Sequence, residues 1–149
     1  MKFQFVFPPM DESYGGNSLT AWRSPPSGLA QLAKAAEFSG VDKKDIEILD
    51  GNFLSLEQIV GRLEPGLVGI TSWYNSARNT RAIAEEAKKR GAFTVVGGSD
   101  VNRVTAQRII NNNEYIAAAV IGRGVSVMPL LIEEAERFLE VVIDWLKKN

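Results

Sequence analysis

"VVGGSD", residues 95–100, ends an apolar run on two consecutive glycines. Val95 and Val96 read as buried strand, whereas Gly97 and Gly98 permit backbone angles and close approaches that side chains forbid. The motif asks what comes so near the end of this strand that no side chain is tolerated.

Similar apolar runs recur along the chain. FQFVF, residues 3–7, is a β-favouring aromatic run stopped by Pro8 and Pro9. Ile46 to Leu49, Leu67 to Ile70, Phe93 to Val96 and Ile116 to Ile121 complete a set of five predicted strands. Helical patterns alternate with them. Leu29, Leu32, Ala33 and Ala36 recur at helical spacing over residues 27–39 and stop at Gly40. Ser55 with Gln58 forms a capping-box pattern for a second helix that ends at Pro65-Gly66. Asn75 or Ser76 is expected to cap a third helix running to Arg90-Gly91, and a fourth covers residues 105–111. The last predicted helix runs from Met128 to Lys148 with Pro129 in its first turn.

Strands that are apolar throughout, each followed by a helix, imply a parallel sheet covered on both faces. Right-handed crossovers leave few topologies, and the expected one is a five-stranded α/β doubly wound sheet in the order 2-1-3-4-5. The chain's 149 residues fit a single domain, without repeats or an interdomain linker.

Composition removes several kinds of chemistry. There is no cysteine and no histidine, which excludes disulfides, thiolate-held clusters, the usual zinc sites and the commonest general base. Seventeen Lys and Arg against 18 Asp and Glu give a net charge of -1, so no broad field favours nucleic acid or an anionic membrane. No apolar run is long enough to span a bilayer, and Met1-Lys2 leads into a strand without an apolar leader. A cytoplasmic protein is the expectation.

In such sheets, ligands bind outside the carboxyl ends of the strands, near the point where strand order reverses. Five segments fall there: residues 8–26, Asp50-Gly51-Asn52, residues 71–75, residues 97–100 and Gly122-Arg123-Gly124. Thr71 and Ser72 offer hydroxyls to a phosphate, ribose or ring nitrogen, and the helix N-terminus that follows favours an anion. Trp73 and Tyr74 add flat apolar area. A purely architectural reading stands beside this one: the glycines relieve turn strain, Ser72 caps the helix and Trp73 covers the sheet edge. Asp11, Glu12, Asp50 and Asp100 show no spacing that enforces an acid pair, and solvated loop acids are expected.

The fragments "PPSGLAQLAKAAEFSG", "IEILDGN", "LEPGLVGITSW", "TVVGGSD" and "AVIGRG", with the proline pair after the first strand, occur in that order over nearly the whole chain. Together they resemble the N-terminal cobalamin-binding domain of cobalamin-dependent radical S-adenosylmethionine enzymes. The resemblance implies a flavodoxin-like domain holding cobalamin at the carboxyl edge of its sheet, with the nucleotide tail along the ends of strands three and four. It places Thr71 and Ser72 on the tail, with Gly97, Gly98 and Ser99 beside it. It also puts Pro8, Asp50 and the loop from Tyr14 to Trp22 beside the corrin, and Trp73, Gly122 and Gly124 complete the expected cofactor-binding set. The implied partners are a radical S-adenosylmethionine catalytic domain or a second copy of the chain.

Departures from the family pattern limit what the chain does alone. The cluster cysteines of the radical enzymes are missing, so an isolated chain is not expected to be an enzyme. The histidine lower ligand of methionine-synthase-like and mutase-like domains is also missing. Where the family has Gly-Gly-Pro-His and Gly-Glu-Gly-Glu, this chain has Gly97-Gly98-Ser99-Asp100 and Gly122-Arg123-Gly124-Val125, and Asp100 is expected to pair with Arg123. In the final helix, Leu131, Ile132, Ala135, Phe138, Leu139, Val142, Trp145 and Leu146 share a face. Val141 and Ile143 lie elsewhere and suggest a surface for a second chain. A cobalamin-binding module is therefore the first expectation. A degenerate scaffold or interaction domain is the second, and a flavin or nucleotide binder the third.

Overall fold

In the computed structural model, which describes residues 1–12 and 27–148 without the side chains of 27 and 141–146, strands and helices alternate along the chain. The strands are β1 (Lys2–Phe7), β2 (Ile46–Asp50), β3 (Gly66–Thr71), β4 (Phe93–Gly97) and β5 (Ala118–Ala119). The helices are α1 (Ser27–Phe38), α2 (Leu56–Arg62), α3 (Ala77–Lys89), α4 (Thr105–Asn112) and α5 (Gly124–Lys148). All strand pairs are parallel and the order is β2-β1-β3-β4-β5, the expected flavodoxin-like arrangement. Among the described residues, no helix is long and apolar enough to cross a membrane.

Strand alternation divides the interior into two layers. Phe3, Phe5 and Phe7 of β1 and Leu67 of β3 pack with Leu29 and Ala36 of α1 and Met128 and Ala135 of α5. On the other face, Val6, Leu49, Val68, Ile70 and Val96 pack with residues of α2 and α3, including Ile59, Ile83, Ala84 and Ala87. Gln4 points into this second layer at 0% exposure. Its amide donates to Glu47 (3.0 Å) and the Arg62 carbonyl (2.7 Å) and accepts from the Glu64 N–H (2.9 Å), so its burial leaves no polar group unpaired.

Local signals hold at α2 and fail at α3. The capping box of Ser55 and Gln58 forms as read, with both reciprocal hydrogen bonds. At α3, neither Asn75 nor Ser76 caps through its side chain; residues 74–76 form a short 3-10 turn, and the Ser76 hydroxyl donates to the Trp73 carbonyl at 3.3 Å. The cap comes from Asp11, whose carboxylate accepts from the N–H groups of Arg78 (3.1 Å) and Asn79 (3.0 Å). The Asp11 N–H donates to the Asn75 carbonyl at 2.8 Å, and the Asn79 amide donates to the Pro9 carbonyl at 2.9 Å. Asp11 is only 4% exposed, so the expectation of a solvated loop acid is corrected. The anionic group this helix N-terminus favours is the chain's own Asp11 carboxylate.

The C-terminal third departs from the sequence reading in two places. β5 is reduced to Ala118–Ala119 because the chain is still turning at Ile116, whose N–H bonds the Asn113 carbonyl. Ladder-like bonds from Ala117 to Thr94 and from Val120 to Val96, both 2.8 Å, flank it. α5 starts at Gly124 rather than Met128, so Pro129 lies beyond the first turn, inside the helix, where it cannot donate to the Val125 carbonyl. The apolar surplus read at Val141 and Ile143, with Val142, Trp145 and Leu146, concerns side chains outside the described set.

Gly98 answers half of the question posed by the double glycine. Its φ is +116°, and a Cβ there would lie 2.9 Å from the Ser72 carbonyl oxygen and 3.1 Å from the Ser72 nitrogen. The nearby Ser72 N–H donates to the Gly97 carbonyl at 2.6 Å, so the ends of β3 and β4 are drawn together against a side-chain-free position. What approaches Gly98 is the chain itself. Replacing Gly98 with Ala is expected to destabilise by about 1–3 kcal/mol, through backbone strain and the contact with Ser72. Asp11→Ala is expected to cost about 1–2 kcal/mol through loss of the cap. Urea unfolding measures both, and unchanged midpoints would refute these roles.

Candidate ligand-binding cleft

The remaining glycine, Gly97, has open space in front of it. A Cβ there would meet nothing closer than the Val120 Cβ at 3.8 Å, an ordinary contact distance. Gly97 stands opposite Thr71 in the register, and Gly69 stands between Phe5 and Val95. With the central strands lacking side chains at Gly69 and Gly97, the sheet face under α1 and α5 is not filled, and a cleft of about 530 Å³ lies there. That volume is in the range of small-molecule and cofactor sites.

Leu29 and Leu32 of α1 form one wall of the cleft, and Val125, Met128 and Leu131 of α5 form the other. Phe5, Gly69, Val95 and Gly97 form its floor, with the Thr71 residue at the end of β3. Val120, Gly122, Arg123 and Gly124 line the side next to β5. The lining is apolar except for Gln31, Thr71 and Arg123, and it contains no carboxylate. Such a space suits a flat or bulky apolar group with a few polar attachments.

Of the residues singled out in the sequence, Thr71, Gly97, Gly98, Gly122 and Gly124 line this cleft. Ser72, one position past Thr71, instead lines a separate space of about 150 Å³ with Thr80, Arg81 and Asn113. Trp73 stays outside the cleft, exposed and edge-on to Phe7, with ring centroids 5.9 Å apart at 72°. Pro8 is fully buried, and the Asp50 carboxylate accepts from the Asn52 N–H at 2.9 Å within its own turn. Ser99 is not part of the cleft lining, and Tyr14 lies outside the described residues.

No ion pair joins Asp100 to Arg123, which corrects the pairing expected from the sequence. Arg123 lines the cleft and Asp100 does not; the Asp100 carbonyl instead accepts from the Thr105 hydroxyl. Sequence reasoning also missed Gly69 and the walls from α1 and α5. A glycine inside "LVGIT" was a usable signal, because glycine in a strand interior often marks close approach or a missing side chain. The walls carried no local signal.

Among the described residues, no group of three or more His, Cys, Asp and Glu could hold a metal ion. Lys89 and Tyr115, at the far edge of the sheet, both have a raised pKa. For Lys89 the first cause is a hydrogen bond to Glu85, and for Tyr115 it is the charge of Glu85.

No protein-family profile matches the chain, and no solved structure matches it. The chain is 26% identical over 148 residues to a Pyrococcus horikoshii protein named as an uncharacterized methyltransferase, an alignment covering 95% of this chain. The same alignment covers 31% of that relative, so the chain spans about a third of the length of the protein it is similar to.

Proposed function

We propose that this chain is a cobalamin-binding module that receives the cofactor's nucleotide tail in the cleft between the sheet and helices α1 and α5. The observation that supports it is the space in front of Gly97. It is apolar, of cofactor-site volume, and lies at the carboxyl ends of β3 and β4, where the resemblance to the radical enzymes puts the tail. The residues fit the group. A ring system meets Phe5, Leu32, Val95 and Met128, the Thr71 hydroxyl is available to a ribose or ring nitrogen, and Gly97 lets the ligand lie against backbone.

With no histidine in the chain, cobalt receives no imidazole from this protein. When bound, cobalamin supplies a cobalt centre able to take up and release a methyl group, which is compatible with the relative's name as a methyltransferase. The part of this chain is to bind and orient: it excludes water from the tail and sets the position of the ring at the sheet edge. With no cysteine, it holds no thiolate-ligated cluster, and radical chemistry belongs to a partner domain or chain.

A second reading, an interaction domain that no longer takes cobalamin, is favoured by the apolar groups exposed around the same rim. Phe53 follows β2, Val104 follows β4 and Ile121 follows β5, with exposures of 86%, 82% and 52%. Separate exposed apolar residues are common, whereas three from different loops at one end of a sheet suit docking. The exposed rim itself is compatible with the first reading too, if it meets a catalytic domain, the kind of partner that a relative three times as long has room for.

Mixing purified protein with cobalamin and desalting is expected to give a co-eluting visible spectrum. A colourless protein after incubation with several cobalamin forms would leave the interaction reading. Gly97→Val is expected to abolish loading while the unliganded protein melts within a few degrees of the parent; full loading of that variant would place the tail elsewhere. Cobalamin, but not flavin mononucleotide or AMP, is expected to raise the melting temperature, because a ligand of the native state shifts the unfolding equilibrium.

A further inference from the structure

Among the described residues, Arg123 is the only charged one lining the cleft. It is exposed, and its guanidinium makes no hydrogen bond, ion pair or ring contact with the other described residues. No carboxylate stands among the lining residues, and residues 13–26 contain no Asp or Glu. Among the described residues the cation therefore faces an apolar cavity without a counter-charge.

We infer that Arg123 recognises an anionic group on the ligand and that the cleft takes apolar rings joined to a phosphodiester. The inference rests on the cobalamin reading, in which the nucleotide tail carries one phosphodiester between its ring base and the corrin. A guanidinium presents a planar set of donors that matches two phosphate oxygens at once, which an ammonium cannot do. Beside an apolar cavity the pair is less screened than in open water, so the charge discriminates between ligands with and without the phosphate. With apolar rings in the cleft, a phosphate at its β5 side is within the region that Gly122, Arg123 and Gly124 line. On the Gly122 side of Arg123 the approach is open, with nothing within 4 Å of where a Cβ would stand, whereas Leu32 packs against Gly124 on the other side.

The test is a spectroscopic titration of the full chain, wild type and the variants R123A, R123E and R123K, with cobalamin and with cobinamide. Cobinamide lacks the phosphate, ribose and base. Cobalamin affinity is expected to fall roughly tenfold to a hundredfold in R123A and further in R123E, with R123K in between. Cobinamide affinity is expected to be the same in all four proteins, and melting curves of the unliganded variants should overlay. Equal cobalamin affinity in wild type and R123A overturns the inference while leaving the cobalamin reading intact. An equal loss for cobinamide also overturns it, because Arg123 then acts on the corrin or on the fold. A wild-type chain that binds no cobalamin removes the reading beneath the inference, and the inference with it.

Discussion

A parallel sheet covered on both faces has room for a ligand only where its own side chains are missing. The two layers of this protein differ in that respect. The face under α2, α3 and α4 is closed by Val6, Val68, Ile70, Val96 and their partners, whereas the face under α1 and α5 is interrupted at Gly69 and Gly97. Position 97 can be bare without loss of the sheet because the adjacent Gly98 lets β3 and β4 close on each other through the Ser72 to Gly97 hydrogen bond. One glycine holds the strand ends together and its neighbour opens the cavity. The double glycine is thus two separate requirements written side by side.

The architecture was legible because its signals are local or periodic. Apolar runs bounded by proline and glycine gave all five strands their places, and the capping box at Ser55 and Gln58 formed as read. The failures concern partners distant in sequence. Asp11 lies 67 residues before the N–H of Arg78 that it caps, and no spacing rule links a loop acid to a helix so far downstream. β5 was overestimated for a different reason: "IAAAVI" has the composition of a strand, yet Ile116 and Ile121 lie in irregular backbone on either side of the two paired residues. Alanine-rich edge segments have little side-chain surface to enforce pairing.

At the site, sequence located the end of the sheet but not the side. Thr71 and Ser72 are consecutive, and alternation along a strand sends them to opposite faces, so only one of the two hydroxyl residues lines the large cleft. Trp73 offered the flat surface a cofactor would want, and the fold used it against Phe7 instead. The walls from Leu32 and Met128 are distant in sequence and meet only because α1 and α5 share a face. Such sites are assembled by topology.

The difference between the layers extends to how the molecule comes apart. On the side of α1 and α5, the cavity removes contacts that a filled core would make. Local opening follows the thinnest packing, so amide protons along α1 and α5 should exchange with solvent ahead of those in α3. A guest molecule seated in the hollow would act as the missing mortar of that layer, and the reach of its slowing effect along the two helices would map how far one small void governs the cohesion of an entire flank.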